Sequence, residues 1–426
     1  MAKTRIGYAK AVITPPLGTQ LAGHAVLERP AKAVHDDLFA RVLVLEFAGI
    51  DYCLIQNDLL GLDYEFIATV KDELAELGIK KENVFLGCTH THSGPKGLVK
   101  NRINNQEYIV TTEGYYDEPL CLNIQKAIKT AVKEALANKD DCVMRYGTTV
   151  VSGVCSNRNH RDKVGDPLLL ALEFIRDDGK RLLLYNFSCH PTIVNHGNYE
   201  ITADFPGAVA KLAEACDYEM AVFTNGSSGD ISTRFTRREA SFDEVARIGG
   251  ILWSYIQEAL ADKAKEDISE VVVKDALYKL QLKEIDSIEA ATAKLAKYEE
   301  ELALAQEKGL TNIRSYESFV EGAVFNLFRA QYGSGVETDE LRYKLLKIND
   351  LIFVFVPVEM FSDLTNALKQ EYQGKLFFCT VFNGYINYLA DAASYEMDTY
   401  ETQSSGIAKG QGEAYIAALK EELKML

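Results

Sequence analysis

The chain has 426 residues, 47% hydrophobic and 25% charged, enough for a large core and, on length alone, for two or three domains. A formal charge of −16 excludes the electrostatic footprint of a nucleic-acid binder and an attraction to anionic membranes. No apolar run nears the roughly 20 residues that cross a bilayer, and the start carries no apolar core with a cleavage site, so the sequence reads as cytoplasmic.

Residues 6–13 read as a short strand ending at Thr14-Pro15-Pro16, and 38–47 with 52–57 as a hairpin. Helical apolar spacing over 63–78 (Phe66, Ile67, Val70, Leu74, Leu77) leads to Val84-Phe-Leu-Gly-Cys-Thr-His90-Thr-His92-Ser-Gly-Pro95. If that strand stays extended through Thr91, His90 and His92 project from its end to one face, and Ser93-Gly94-Pro95 breaks it. A bare His-x-His admits two readings, a metal or acid/base site and two histidines capping a buried strand. Residues 98–116, polar and irregular, read as a long loop near that site.

A helix is expected over 118–138 and a strand over 142–154, which delivers Asn157-Arg158. A second hairpin, 167–175 with 181–187, ends at Ser188-Cys189-His190-Pro191. After a helix at 208–214, a strand at 221–224 runs into Asn225-Gly-Ser-Ser-Gly-Asp230-Ile-Ser232. A helix at 242–264 and a strand at 271–282 precede a charged helix over 286–307 and a second helical stretch to 330. That pair is too polar outside for a core and reads as an inserted arm or lid. The apolar run 351–358 suits a central strand and ends at Glu359. A helix follows, then a strand over 376–382 that opens into Asn383-Gly-Tyr385-Ile-Asn-Tyr388, and a helix at 409–425. The eight cysteines lack Cys-x-x-Cys spacing and read as reduced thiols. No Pro- or Ser-rich linker divides the chain, so the fold expected over 1–426 is single-domain α/β, mixed central β-sheets covered by helices, with a helical insertion near 286–330.

Three strand-to-loop junctions end in candidate ligands, His90 with His92, then His190, then Glu359, and a fourth carries tyrosines. Taken singly each has a plain alternative: His190 as a loop histidine, Glu359 as a cap on the next helix. Repetition of one pattern favours a metal site. Two imidazoles, a carboxylate and a phenolate suit zinc with room for a water, which makes amide or ester hydrolysis the natural chemistry. The remaining histidine, Arg158 and a tyrosine hydroxyl would then donate to the oxyanion.

The ordered set Thr-His90-Thr-His92-Ser-Gly-Pro, Asn157-Arg158, His190-Pro-Thr, Gly229-Asp-Ile-Ser232, Glu359 and Asn-x-Tyr385-x-x-Tyr388 with Tyr400 resembles the neutral ceramidase family. Ile13-Thr-Pro-Pro, the Gly23 region and Leu38-Phe-Ala-Arg41 extend the resemblance over nearly the whole chain. It implies that His90, His190, Glu359 and Tyr388 hold Zn2+. It implies that His92 and Tyr400 stabilise the oxyanion or move a proton, that Arg158 stands beside the scissile group, and that Tyr385 is a packing neighbour. The substrate implied is a small-molecule N-acyl amide, cleaved by water that the metal activates. Ser232 is placed for a catalytic role, yet Gly229-Asp-Ile-Ser232-Thr-Arg departs from the family's Gly-Asp-Val-Ser-Pro-Asn, and a serine bonded within its own turn is the alternative. Glu401-Thr-Gln-Ser-Ser likewise departs from Glu-Gly-Ala-Ser. Asp58, Asp204 and His196 read as polar groups behind the ligands or as ordinary loop residues.

Neither the signal sequence nor the C-terminal β-sandwich of secreted ceramidases is expected here, which leaves acyl and amine specificity open. The rival readings are an amidohydrolase-type barrel, a hydrolase of a small soluble ester or amide, and a binding protein that keeps the fold without catalysis. A barrel would want regular βα repeats before His-x-His, where hairpins stand instead. Oligomeric state is left open, a homo-oligomer included.

Overall fold

Along Phe39–Phe47 the side chains alternate between two buried faces, Ala40, Val42 and Val44 against one core and Leu43 and Leu45 against another. That is the pattern of a strand covered on both sides. In the computed structural model, which describes residues 4–24, 28–99, 116–163, 165–333 and 340–426, this strand lies inside an eight-stranded mixed sheet. The sheet order is Tyr218–Asn225, Arg181–Phe187, Leu168–Arg176, Asp140–Val150, Thr4–Val12, Phe39–Phe47, Ile50–Asn57, Val84–Cys88.

Helices Tyr64–Ala75, Glu118–Ala137, Phe205–Ala215 and Phe242–Leu260 cover one face of this sheet. Their starts are fixed by side chains that accept an amide hydrogen of the first turn, Asp63 from Phe66, Asp117 from Leu120, Asp204 from Phe205 and Ser241 from Glu244. On the other face lies a four-stranded sheet, Val271–Lys279, Glu340–Ile348, Leu351–Val356 and Leu376–Thr380, whose Phe353, Phe355 and Phe377 share a core with Leu170, Leu172 and Phe174. Helices Ser362–Glu371 and Gln411–Leu423 close its outer side. The architecture is therefore the α/β fold with mixed central sheets covered by helices.

Within the two sheets three pairs run parallel: Ile50–Asn57 with Val84–Cys88, Arg181–Phe187 with Tyr218–Asn225, and Leu351–Val356 with Leu376–Thr380. A parallel pair needs a crossover, and helices Tyr64–Ala75, Phe205–Ala215 and Ser362–Glu371 supply the three. The segments that leave the carboxyl ends of these strands carry His90, His190, Ser232, Glu359 and Tyr388.

Pairing after Val84 does not run through Thr91. It ends at Cys88, opposite Asn57, where the partner strand also ends. Thr89 N and His90 N then donate to the Asn57 and Leu59 carbonyls at 2.8 and 2.9 Å, and His90 adopts a left-handed backbone, φ 69°. Such a conformation costs a non-glycine residue roughly 1–3 kcal/mol and persists where its surroundings hold it. The two histidines are thus brought together by a strained turn and not by strand alternation. The helix read at 208–214 starts earlier, at Phe205, because Asp204 caps it and Pro206 fits its first turn. Most of the loop expected at 98–116, residues 100–115, lies outside the described residues.

The helical pair expected near 286–330 is present as Ile288–Glu307 and Ile313–Tyr332, with Tyr298 stacked on Phe319 at 5.3 Å. It is tied to the segment after Tyr400: Arg329 donates to the carbonyls of Gln403, Ser404 and Ser405 at 2.6–2.7 Å. One face of Ile313–Tyr332, with Arg314, Glu317, Ser318, Glu321 and Phe325 at helical spacing, lines the cavity described next.

Candidate metal centre

His90 Nδ1 lies 2.8 Å from the Leu60 carbonyl, and His190 Nδ1 lies 2.7 Å from the Ser228 carbonyl and 3.1 Å from that of Ile231. A carbonyl only accepts, so each Nδ1 carries the hydrogen and each Nε2 is left with a lone pair. Both lone pairs face one carboxylate oxygen, Glu359 Oε2, at 3.2 Å from His90 and 3.0 Å from His190. The buried Nε2 of His90 makes no hydrogen bond there. Burial and then the charge of Arg158 push His190 down to about 4, so no extra proton bridges it to Glu359 at neutral pH. In the neutral form of both rings the two Nε2 atoms and Glu359 Oε2 are three acceptors converging on one point, which suits a cation, and imidazole with carboxylate is a zinc donor set.

Tyr385 is more than a packing neighbour: its hydroxyl donates to the other oxygen, Glu359 Oε1, at 2.6 Å. A carboxylate supported in this way keeps its second oxygen aimed inward. Removing such a supporting partner typically costs 10–100-fold in metal affinity. A metal held at this centre is therefore expected to bind more weakly by about that factor in Tyr385→Phe, without much lowering of the melting temperature. Competition against a chelator measures it, and an unchanged dissociation constant would return Tyr385 to packing alone.

His92 joins the same group. Among the described residues, His90, His92 and His190 have ring nitrogens within 4.8 Å of one another. Both nitrogens of His92 are buried without a hydrogen-bond partner. Burial, then His90, His24 and His190, keep this imidazole neutral far below its ordinary pKa. Geometry therefore does not set His92 apart from the ligands in the way the resemblance implies. Its ring stands edge-on to His90 at 5.0 Å and to His24 at 5.4 Å. A Cβ at Gly23, whose φ is 85°, would lie 2.3 Å from His92 Cγ, so only glycine lets the ring in.

Opposite these rings, Arg158 is buried in an ion pair with Glu401 at 2.6 Å, and its Nη2 donates to the Tyr388 hydroxyl at 3.2 Å. Burial opposes the guanidinium charge, but Glu401 outweighs it and Arg158 stays a fixed cation. Tyr388 is the parallel-bridge partner of Glu359, which sets the two side chains next to each other. Burial and then Glu359 raise the Tyr388 phenol well above its usual range, so its hydrogen remains available to donate. Tyr400 packs edge-on to Tyr388 at 6.0 Å and to Phe325 at 6.1 Å. Ser232 Oγ accepts from the Arg234 amide at 3.2 Å, the bond of a turn-forming serine.

The groups behind the site are legible too. Asp58 takes Arg41 at 2.5 Å and the Phe39 amide at 2.9 Å, bracing the segment whose carbonyls hold His90. Asp204 accepts from Val194 and Phe205, tying the segment after His190 to its helix, and burial raises its carboxyl to about 7. Together with His196, these elements enclose a cavity of about 390 Å³ lined by His90, His92, Arg158, Ser232, Glu359, Tyr388 and Tyr400. His24, Arg234 and Arg237 also line it, and Glu401 anchors Arg158; no role was read for these four in the sequence.

The sequence matches the family described as "Neutral/alkaline non-lysosomal ceramidase, N-terminal" over residues 5–239, more than half of the chain. It is similar to the neutral ceramidase of Drosophila pseudoobscura pseudoobscura, 25% identical over 233 residues, 50% of this chain and 32% of that protein. It is also similar to the neutral ceramidase of Pseudomonas aeruginosa, 25% identical over 295 residues, 62% of this chain and 43% of that protein. The chain thus spans between about a third and less than half of the length of these curated relatives. A crystal structure of neutral ceramidase from Pseudomonas aeruginosa superposes with a TM-score of 0.76 at 20% identity, covering 98% of this chain and 73% of that one. A ceramidase complexed with C2 gives a TM-score of 0.75 at 19% identity, covering 99% and 76%. At those identities the superpositions establish the fold.

Proposed function

The chain belongs to the neutral/alkaline non-lysosomal ceramidase family, and from that premise we propose that it is a zinc-dependent hydrolase that cleaves an N-acyl amide. The observation that carries this reading is the convergence of the two Nε2 atoms, with both Nδ1 atoms turned to main-chain carbonyls, on one carboxylate oxygen of Glu359. His90, His190 and Glu359, with Tyr388, would hold the ion. Zinc in that place would polarise the amide carbonyl and bring the pKa of a water toward neutrality. His92, a buried neutral imidazole with both nitrogens unbonded, takes or returns a proton at the reacting centre. The hydroxyl of Tyr400 donates to the oxygen that gains charge, and Arg158, fixed by Glu401, orients the Tyr388 phenol and adds a positive field. Ser232 shapes the turn beside them.

The names of the relatives point to ceramide as their substrate; for this chain the amide class is the proposal. Among the described residues the cavity wall mixes polar groups with about as much apolar surface, from Leu60, Ile313, Phe325 and the tyrosine rings among others. A methylene yields about 0.8 kcal/mol when it leaves water for apolar surface, so the acyl length that such a wall accepts is a question for a graded series. Incubation of the zinc-loaded chain with N-acyl amides of graded acyl length tests the reading. Release of free acid is expected, lost on chelation and restored by zinc. Failure of the fully zinc-loaded protein to cleave any amide in the series would favour a binding protein on the same fold.

A further inference from the structure

Most of the charged groups around the cavity are held by a partner, Glu317 and Glu321 both by Arg314. Arg158 is paired with Glu401 at 2.6 Å, Arg314 with Glu321 at 2.7 Å, and Glu359 is engaged by His90, His190 and Tyr385. Arg234 and Arg237 line the same cavity, yet among the described residues neither has an ion pair. Each spends one N–H on a main-chain carbonyl, Arg234 Nη1 on Arg158 at 3.3 Å and Arg237 Nη1 on Thr192 at 2.7 Å. The amides of Thr236 and Arg237 both bond the Thr233 carbonyl, at 3.1 and 2.9 Å, so residues 233–237 make one tight helical turn. Positions 234 and 237, three apart on it, share a side. Burial presses on both charges; at Arg234 the repulsion of Arg158 and Arg314 adds to it against the pull of Glu401 and Glu321, and the group falls to about 10, while Asp204 and Glu244 support Arg237. Two buried guanidiniums that line one cavity without a carboxylate in ion-pair contact leave N–H donors that a ligand's oxygens can complete.

We propose that Arg234 and Arg237 form a subsite for an anionic oxygen group of the substrate, so that the amide cleaved is that of an N-acylated amine bearing a carboxylate, sulfonate or phosphate. Forked guanidinium donors match the oxygens of such groups and reject a neutral amide or alcohol in their place. The source of the anion rests on the amide-hydrolase reading; the subsite itself does not need turnover.

Calorimetric titration of the full chain, dialysed free of metal so that no hydrolysis intervenes, compares N-acetylglycine with its neutral counterpart N-acetylglycinamide. The acid is expected to bind at least about tenfold more tightly, with the gap shrinking at high salt. Arg234→Gln and Arg237→Gln should each narrow the gap and the double variant close it, while Arg234→Lys keeps part of it; melting curves verify that each variant is folded. Parallel titrations with N-acetyltaurine and inorganic phosphate rank the three anion types. Equal binding of acid and amide by the unaltered chain, or a gap that survives the double substitution, overturns the proposal. If the acid binds preferentially but the zinc-loaded chain cleaves neither compound, the subsite stands and the hydrolase reading falls.

Discussion

Alanine in place of His90 or His190 is expected to abolish metal retention while leaving a folded chain. Each ring is almost fully buried, each is aimed by a bond from Nδ1 to a main-chain carbonyl, and each offers its Nε2 at 3.0–3.2 Å from the same oxygen. Deleting one removes a donor atom outright, a larger loss than the roughly 10–100-fold attached to a mere supporting partner. The residual anion of Glu359 then faces one imidazole fewer, which weakens the remaining set as well. Metal content by mass spectrometry after dialysis, read beside a melting curve, decides the matter. A double variant that still carries a full complement of metal would sink the assignment.

Tyr400→Phe separates binding from chemistry. The ring lines the cavity and packs against Tyr388 and Phe325, contacts that phenylalanine keeps. What is lost is one hydroxyl, which the proposed mechanism has donating where negative charge develops, and removing a donor of that kind costs about 10²–10³ in kcat. Zinc content should stay at the level of the unaltered chain, and kcat and kcat/KM should fall together, the mark of an interaction made only in the transition state. An unchanged kcat would take Tyr400 out of the mechanism.

The site was legible in the sequence where it follows from the ends of strands. His190 and Glu359 stand where apolar runs give way to polar turns, and the structure finds them at the carboxyl ends of parallel pairs. The backbone of His90 was not legible, because its left-handed turn depends on carbonyls of Asn57 and Leu59 from a neighbouring strand end. The choice between Tyr385 and Tyr388 as partner of Glu359 could not be made from spacing, since positive φ at Asn383 and Asn387 breaks any period through that segment. Glu401 and Arg158 meet across 243 positions, a pairing that no local pattern encodes. The helix pair was read from its charged sequence with a face too polar for a core, but which side of it would close the cavity depends on docking against the segment after Tyr400. Arg234 and Arg237 carried one signal, their place just beyond Ser232 in a turn that departs from the family's pattern.

The claim on which the rest depends is that His90, His190 and Glu359 hold one metal ion. Anomalous diffraction at the zinc absorption edge, from crystals of the full chain grown with zinc, tests it most directly. A single strong peak between the two Nε2 atoms and the Glu359 carboxylate is the expected result; a map with no peak there, or with its strongest peak elsewhere on the molecule, would contradict it.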